Sequence, residues 1–157
     1  MDINSLPTLN FPKTVFKIKE ENKRFYIFDK SRKKYIILTP EEWVRQHCLH
    51  YLTHEKHYPA SLLAVEKEII QHNKHLRFDI VAYSKQGTPQ LLVECKAPEV
   101  QINQKVFDQI AAYNLKLNVP YLLVTNGINH YCCMVDFENS KYIFLEQIPD
   151  YGIIIQK

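Results

Sequence analysis

The sequence lacks the features that would set it apart from ordinary globular proteins. No stretch approaches the ~18 consecutive apolar residues of a membrane-spanning helix, and the N-terminus has no apolar signal-peptide core. The four cysteines show neither the spacing of a secreted disulfide framework nor a Cys-x-x-Cys pair, so reduced thiols are the simpler interpretation. These absences predict a cytoplasmic protein that makes no contact with a membrane.

Glycine is also rare. The chain has three glycines, and none belongs to a Walker-type loop that would bind the phosphates of ATP. Neither internal repeats nor low-complexity segments interrupt the sequence. At 157 residues we expect one structural domain around a single core. Within it we distinguish a β-meander extension over residues 1–38 from an α/β core over residues 39–157.

Positive charge is concentrated near the N-terminus, although the formal net charge is only +3. Residues 1–34 hold nine Lys or Arg residues against four Asp or Glu residues. Such a region can attract phosphates, which makes Arg32, Lys33 and Lys34 candidate DNA contacts. A charged, solvated turn explains the same residues equally well.

Hydrophobic patterns and turn residues predict an α/β fold with a mixed central β-sheet flanked by helices, preceded by a short N-terminal β-meander. Thr39 and Pro40 mark the clearest boundary, because Thr is a good N-cap and Pro suits the first helical position. We predict helices from residue 40 to 51–54 and over 104–117. Strands are predicted over residues 15–19, 24–28, 34–38, 62–70, 78–83, 91–96, 121–125, 130–137 and 142–145.

A predicted hairpin between residues 77 and 96 carries the most informative polar residues. If its loop is centred on Gln86 and Gly87, Asp79 lies opposite Glu94. Since side chains alternate along a strand, Glu94 and Lys96 share one face and Cys95 points to the other. Burying such charges without partners is costly, so a metal ion or a polyanionic substrate is the expected partner.

This arrangement resembles the PD-(D/E)xK nuclease fold, in which an Asp on one core strand precedes Glu-x-Lys on the next. The matching residues are Asp79, Glu94, Cys95 and Lys96. Gln109 and Tyr113 resemble the Gln-x-x-x-Tyr element of several branches of that superfamily. More specifically, the segments 38–46, 92–98 and 119–127 resemble the N-terminal domain of type I restriction enzyme R subunits.

The resemblance implies a DNA endonuclease that depends on Mg²⁺ or Mn²⁺. R subunits continue into a helicase motor. In this sequence we find neither a Walker loop nor enough residues for a motor domain. We therefore expect DNA as the substrate and a partner protein that supplies a motor or specificity function. A homodimer is left open. The alternative is a non-catalytic nucleic-acid-binding or docking module that retains the fold.

The implied chemistry assigns a role to each residue. Asp79 and Glu94 would bind the metal together with the backbone carbonyl of Cys95. Lys96 would hold the attacking water or stabilise charge in the transition state. Gln109 and Tyr113, one helical turn apart, would position the lysine or a phosphate. The alternatives are a structural ion pair among the charged residues and an ordinary helix surface.

Two further groups are ambiguous. Glu42 resembles the helix-borne acid that some superfamily members add to the metal site, but it also stands where a capping-box glutamate belongs, and we favour capping. His47, His50, His54 and His57 have a spacing that would place them on one helix face. Without a Cys-x-x-Cys or closing carboxylate motif, we favour a solvent-facing or DNA-adjacent stripe over a zinc site.

Overall fold

A mixed α/β architecture is seen in the computed structural model, which describes residues 6–71 and 74–156. A three-stranded antiparallel sheet has the order β1-β2-β3, and a six-stranded mixed sheet has the order β4 to β9. The strands are β1 Ile18–Glu21, β2 Arg24–Asp29, β3 Lys34–Ile37, β4 Leu63–Gln71, β5 Lys74–Tyr83, β6 Pro89–Cys95, β7 Tyr121–Thr125, β8 His130–Asp136 and β9 Lys141–Leu145. The α-helices are α1 Pro40–His54, α2 Gln104–Leu117 and α3 Tyr151–Ile154.

The predicted α/β class, the mixed sheet and the N-terminal meander are therefore confirmed. The sequence prediction missed α3 and the short 3₁₀ turn Ala60–Leu62. β3 ends two residues before Thr39, but a division of the chain at residue 38 stays a prediction. None of the helices in the described part of the chain is long and apolar enough to cross a bilayer.

Helices α1 and α2 cover opposite faces of the larger sheet. Along β6, Leu91, Val93 and Cys95 pack into the apolar cluster that contains α1 residues. Leu92 lies in the second cluster, which contains α2 residues. β6 and β7 are parallel, and α2 lies in the connection between them. β7 is buried at all five positions, which explains its uninterrupted apolar sequence.

The N-terminus of α1 forms as its sequence predicts. The Thr39 hydroxyl accepts a hydrogen bond from the backbone N–H of Glu42 at 3.1 Å. This bond satisfies one of the N–H groups that have no partner in the first helical turn. Because α1 therefore begins at Pro40, Glu42 and Arg45 face the larger sheet from its first turns.

The loop of the β5–β6 hairpin differs from the prediction, whereas its register agrees. Ser84 donates its N–H to the carbonyl of Thr88, so the loop is offset from the centre that we expected. An irregularity next to Ala82 and Tyr83 compensates for the offset. Ile80 consequently pairs with Val93, as the predicted register requires.

Strands β5 and β6 separate immediately beyond that pair. β5 stays paired with β4, where Lys67 lies opposite Phe78, while β6 stays paired with β7 as far as Cys95 and Thr125. On β4, Glu66 has a positive φ of 51° at the level of the separation. Because the strands separate, the Cys95 N–H is bonded by a side chain, that of Asp79. The candidate site lies at this opening.

Candidate active site

Four of the predicted site residues line one cleft of about 230 Å³. Glu94 and Lys96 reach it from the end of β6, and Gln109 and Tyr113 reach it from α2. The rest of the lining comes from Leu76, Arg77, Phe78, Val106 and Ile110. The Glu94–Lys96 pair thus meets the two α2 residues at the point where the sheet opens, although they are separated in the sequence.

Glu94 and Lys96 form an ion pair inside this cleft. The Lys96 Nζ lies 2.8 Å from Glu94 Oε1, and both side chains are partly buried. Burial raises the pKa of the Glu94 carboxyl, and repulsion from the Asp79 charge raises it further. Burial acts to lower the pKa of Lys96, but the hydrogen bond to Glu94 and the negative charges of Glu94, Glu41 and Asp79 together raise that pKa. Lys96 is therefore a protonated ammonium.

Asp79 lies at the strand separation with different partners. Its Oδ2 accepts a hydrogen bond from the Cys95 N–H at 2.6 Å. Its Oδ1 accepts two bonds from Arg45 on α1, from Nη2 at 2.5 Å and from Nε at 3.1 Å. The Asp79 charge still acts on Glu94, but the two carboxylates face different partners.

The predicted metal ligands are not gathered into a ready-made site. Within residues 6–71 and 74–156, no set of three or more His, Cys, Asp or Glu residues is arranged to hold a metal ion. The Cys95 side chain packs on the α1 side, away from the cleft, as its strand position indicates. The roles of Asp79, Glu94 and the Cys95 carbonyl as ligands stay predictions.

A network of ion pairs surrounds Asp79 on the α1 side. We call it the arginine–carboxylate cluster, and its members are Asp29, Arg32, Glu42, Arg45, Glu66 and Asp79. Arg32 binds Asp29 at 2.5 Å, Glu42 at 2.7 Å and Glu66 at 2.8 Å. Three carboxylates thus bind the Arg32 guanidinium, and the contact of Arg32 with DNA stays a prediction. Lys33 and Lys34 are exposed, and their contact with DNA stays a prediction.

Glu42 belongs to this cluster as well. Its carboxylate accepts bonds from Arg32 at 2.7 Å, from Gln46 at 2.9 Å and from Arg45. The capping box that we favoured is therefore only half right: Thr39 caps the helix, but the Glu42 side chain points to the arginines. Burial is the main cause that raises the pKa of the Glu42 carboxyl.

Negative charge exceeds positive charge around the strand separation. Six carboxylates, which are Asp29, Glu41, Glu42, Glu66, Asp79 and Glu94, are paired with four cationic groups, which are Arg32, Arg45, Arg77 and Lys96. Among the residues that the structure describes, six against four leaves a formal excess of two negative charges in this set. Such an excess in a partly buried place favours a bound cation.

The four histidines do not form one stripe. His47 is buried among aromatic rings, including Phe16 and Trp43, and burial lowers its pKa to about 4. The rings of His50 and His54 stack with centroids 4.0 Å apart. His57 lies beyond the end of α1. The predicted common helix face is therefore wrong for His57, and the burial of His47 contradicts a stripe that faces solvent.

Residues 40–149 match the family model described as the type I restriction enzyme R protein N terminus (HSDR_N). The match covers more than half of the chain. The chain belongs to this family. The resemblance that we identified in the segments 38–46, 92–98 and 119–127 is thereby confirmed.

A solved structure supports the fold of this R-protein N-terminal domain. It is the fragment structure assigned to an HsdR subunit of a type I restriction enzyme from Vibrio vulnificus YJ016, with a TM-score of 0.50 and 17% sequence identity. The likeness covers 72% of this chain but only 24% of that chain, and at this identity it shows the fold alone. A comparison with curated proteins gave no match.

Sequence reasoning missed Arg45 and Asp29 as members of the site region, whereas Glu66 was considered as a possible further acid and judged more often a solvated charge. One local signal was available, because Glu42 and Arg45 are three residues apart on α1 and such pairs meet on a helix surface. Nothing in the sequence indicated that β2 would bring Asp29 to the same cluster.

Proposed function

We propose that this domain hydrolyses phosphodiester bonds in DNA with the help of Mg²⁺ or Mn²⁺, and that its fold is of the PD-(D/E)xK type. The observation that carries the proposal is the cleft in which Glu94 and Lys96 meet Gln109 and Tyr113. Membership in the R-protein family supports it, because the family name describes part of a restriction enzyme. Asp79, which lies at the strand separation, is the remaining residue of the proposed catalytic set.

The residues at the separation suit a divalent metal ion. Asp79 and Glu94 offer the hard oxygen atoms that Mg²⁺ prefers, and the Cys95 carbonyl is the third proposed ligand. The excess of two negative charges among the surrounding groups equals the charge of one such ion. When bound, the metal would polarise a phosphate and lower the pKa of a coordinated water. We do not extend the ligand set to Glu42, since both of its oxygens accept bonds from arginines.

The other cleft residues would bind and orient the substrate. Lys96 is protonated and sits beside Glu94, where it can orient the attacking water or stabilise charge on the phosphate. Gln109 and Tyr113 are exposed at the cleft surface and can donate hydrogen bonds to a phosphate. Their donors would hold the backbone of DNA in line with Lys96.

The proposed partners are DNA and other subunits or domains of a type I restriction complex. The exposed Lys33 and Lys34 would add attraction for phosphates, which is sensitive to salt. Because the chain spans about a quarter of the solved HsdR chain, we propose that motor and specificity functions come from other subunits or domains of a type I complex. We make no proposal of a homodimer.

The decisive experiment is nicking of a supercoiled plasmid during a titration of Mg²⁺ or Mn²⁺. We expect nicking that requires the metal and is lost in Glu94→Gln, which removes a metal ligand while keeping the side-chain shape. Circular dichroism of the variant checks that its fold is retained. Failure of the wild-type chain both to bind Mn²⁺ by calorimetry and to nick DNA would contradict the proposal.

The second candidate function is a non-catalytic nucleic-acid-binding or docking module. One observation favours it: both carboxylate oxygens of Asp79 are already bonded within the protein. In this case the chain would bind DNA in a gel-shift assay but would show no calorimetric signal with Mn²⁺. Metal binding therefore separates the two candidates.

A further inference from the structure

Asp79 is held on two sides by groups of different mobility. The Cys95 N–H belongs to β6, which is paired with β7 at this residue, so the bond to Oδ2 is fixed by the sheet. The bonds to Oδ1 come from the side chain of Arg45, whose Nη2 and Nε lie 2.5 and 3.1 Å away. Arg45 can change its rotamer without breaking the pairing of the sheet, whereas the Cys95 N–H can move only if β6 moves.

Arg45 would keep partners if it released Asp79. Its Nη1 is bonded to Glu42, its Nη2 lies 3.3 Å from Glu41, and Glu66 lies 3.8 Å from Nη1. Burial acts against the charge of Arg45, but the charges of Asp79 and Glu42 raise its pKa well above the usual range. Arg45 is therefore a permanent cation anchored beside Asp79, whatever the state of that carboxylate.

Arg45 donates two hydrogen bonds to Oδ1, so both lone pairs of that oxygen are engaged and a metal ion could bind it only by displacing the guanidinium. They would compete for the Oδ1 lone pairs, and two cations at this distance repel each other. The same contact between Arg45 and Asp79 neutralises the carboxylate when no metal is present. The contact opposes metal binding, because the ion must displace the Arg45 N–H groups from Oδ1.

We propose that Arg45 is the internal counter-ion of Asp79, that a metal ion binds Asp79 through Oδ1, and that this binding requires Arg45 to release Oδ1 while it stays bonded to Glu42. Arg45 is thus a positioning residue that sets metal affinity. The inference rests on the proposed function, because it concerns the proposed metal site.

Wild-type protein offers a first test that needs no substitution. In protein labelled with ¹⁵N at arginine, the Arg45 Nε–H signal reports its bond to Asp79. We expect this signal to shift and to lose protection from hydrogen exchange as Mg²⁺ is added, while the Arg32 Nε–H signal changes little. Arg32 is the matched control because its Nε is bonded to Asp29, not to Asp79.

Calorimetry with Mn²⁺ provides the second test. Removing a charge-assisted hydrogen bond that competes with the metal should lower the dissociation constant for Mn²⁺ by about tenfold to a hundredfold in Arg45→Met. Arg32→Met should lower it much less, since it removes the same charge without touching Asp79. Arg45→Lys, which keeps the charge but loses the paired N–H groups, should lie between the wild type and Arg45→Met.

The outcomes separate this inference from the proposed function. If wild-type protein binds no metal, the proposed function fails and this inference fails with it. If it binds metal while the Arg45 Nε–H signal stays unchanged, only the inference is overturned. An equal gain in affinity in Arg45→Met and Arg32→Met would also overturn it, because the effect would then be one of general charge.

Discussion

The two sides of the strand separation handle their charges differently. On the α1 side, the arginine–carboxylate cluster pairs every carboxylate with at least one arginine, and Glu42, Arg45 and Asp29 are buried. On the α2 side, the cleft holds the Lys96–Glu94 pair, which remains partly open to solvent. One region is closed and fully bonded, and the other is accessible with few internal partners.

This difference separates a rigid scaffold from a region that is open to ligands. Buried charges that are bonded on all sides are rigid, and removing one partner leaves another charge unpaired. Charges in an open cleft keep lone pairs and N–H groups available to a ligand. Asp79 belongs to both regions, since Arg45 bonds it on one side and its charge acts on Glu94 on the other.

The largest effect should follow from breaking the cluster. Glu42→Ala removes the carboxylate that bonds both Arg32 and Arg45, and its side chain is only 7% exposed. Leaving two buried guanidinium groups underpaired should lower the free energy of unfolding by about 3–5 kcal/mol. Urea denaturation at neutral pH measures the change.

Glu41→Ala is the matched control. Glu41 also contacts Arg45, at 3.3 Å, but 46% of its side chain is exposed, so solvent screens the pair. We expect a loss below about 1 kcal/mol. Equal losses in the two variants would show that the cluster is not tighter than ordinary surface charges.

The second effect concerns the cleft and leaves the fold intact. Lys96→Ala should lower the rate of metal-dependent nicking by about 10²–10³, as loss of one group that stabilises transition-state charge typically does. Mn²⁺ binding should persist or tighten, because the lysine is not a ligand. Both are measured on the same variant, by plasmid nicking and by calorimetry.

Lys85→Ala serves as the control, because Lys85 is exposed in the loop at the opposite end of the same hairpin. It should nick DNA at the wild-type rate. A Lys96→Ala protein that cleaves as fast as the wild type would remove the lysine from the proposed mechanism.

The smallest effect is a pH dependence of stability. The pKa of Glu94 is raised above its usual 4.5, so the folded state binds this proton more tightly than the unfolded state. The contribution of Glu94 to stability is therefore complete below about pH 4.5 and is lost as pH rises through the raised pKa. Without metal, Glu94→Gln should gain stability relative to the wild type as the pH is raised from 4 to 7.

Urea denaturation at several pH values between 4 and 7 measures this gain. Glu138→Gln, which alters an exposed carboxylate between β8 and β9, is the control. A difference between Glu94→Gln and the wild type that stays constant with pH would show that Glu94 carries no uncompensated charge in the cleft.

Much of the fold could be predicted because its signals are local. Thr39 and Pro40 define the start of α1, and five consecutive buried residues in β7 appear as an apolar run. The predicted pairing of the two hairpin strands also agreed with the structure, although the loop geometry from which we predicted it did not. The loop was offset from the prediction, and only an irregularity near Ala82 restored the pairing of Ile80 with Val93. Such compensation depends on packing of the whole sheet and has no clear sequence signature.

The sequence by itself determined which chemical groups are present and the local elements that carry them. Glu-x-Lys on one strand, Gln-x-x-x-Tyr on one helix and membership in the R-protein family are all contained in the order of residues. Only the tertiary structure decided which charges neutralise one another. Arg45, Glu66 and Asp79 come from a helix and two strands, and their pairing depends on how α1 packs on the sheet where β5 leaves β6. Electrostatic partners are chosen by distance in space, and a sequence does not encode that distance locally.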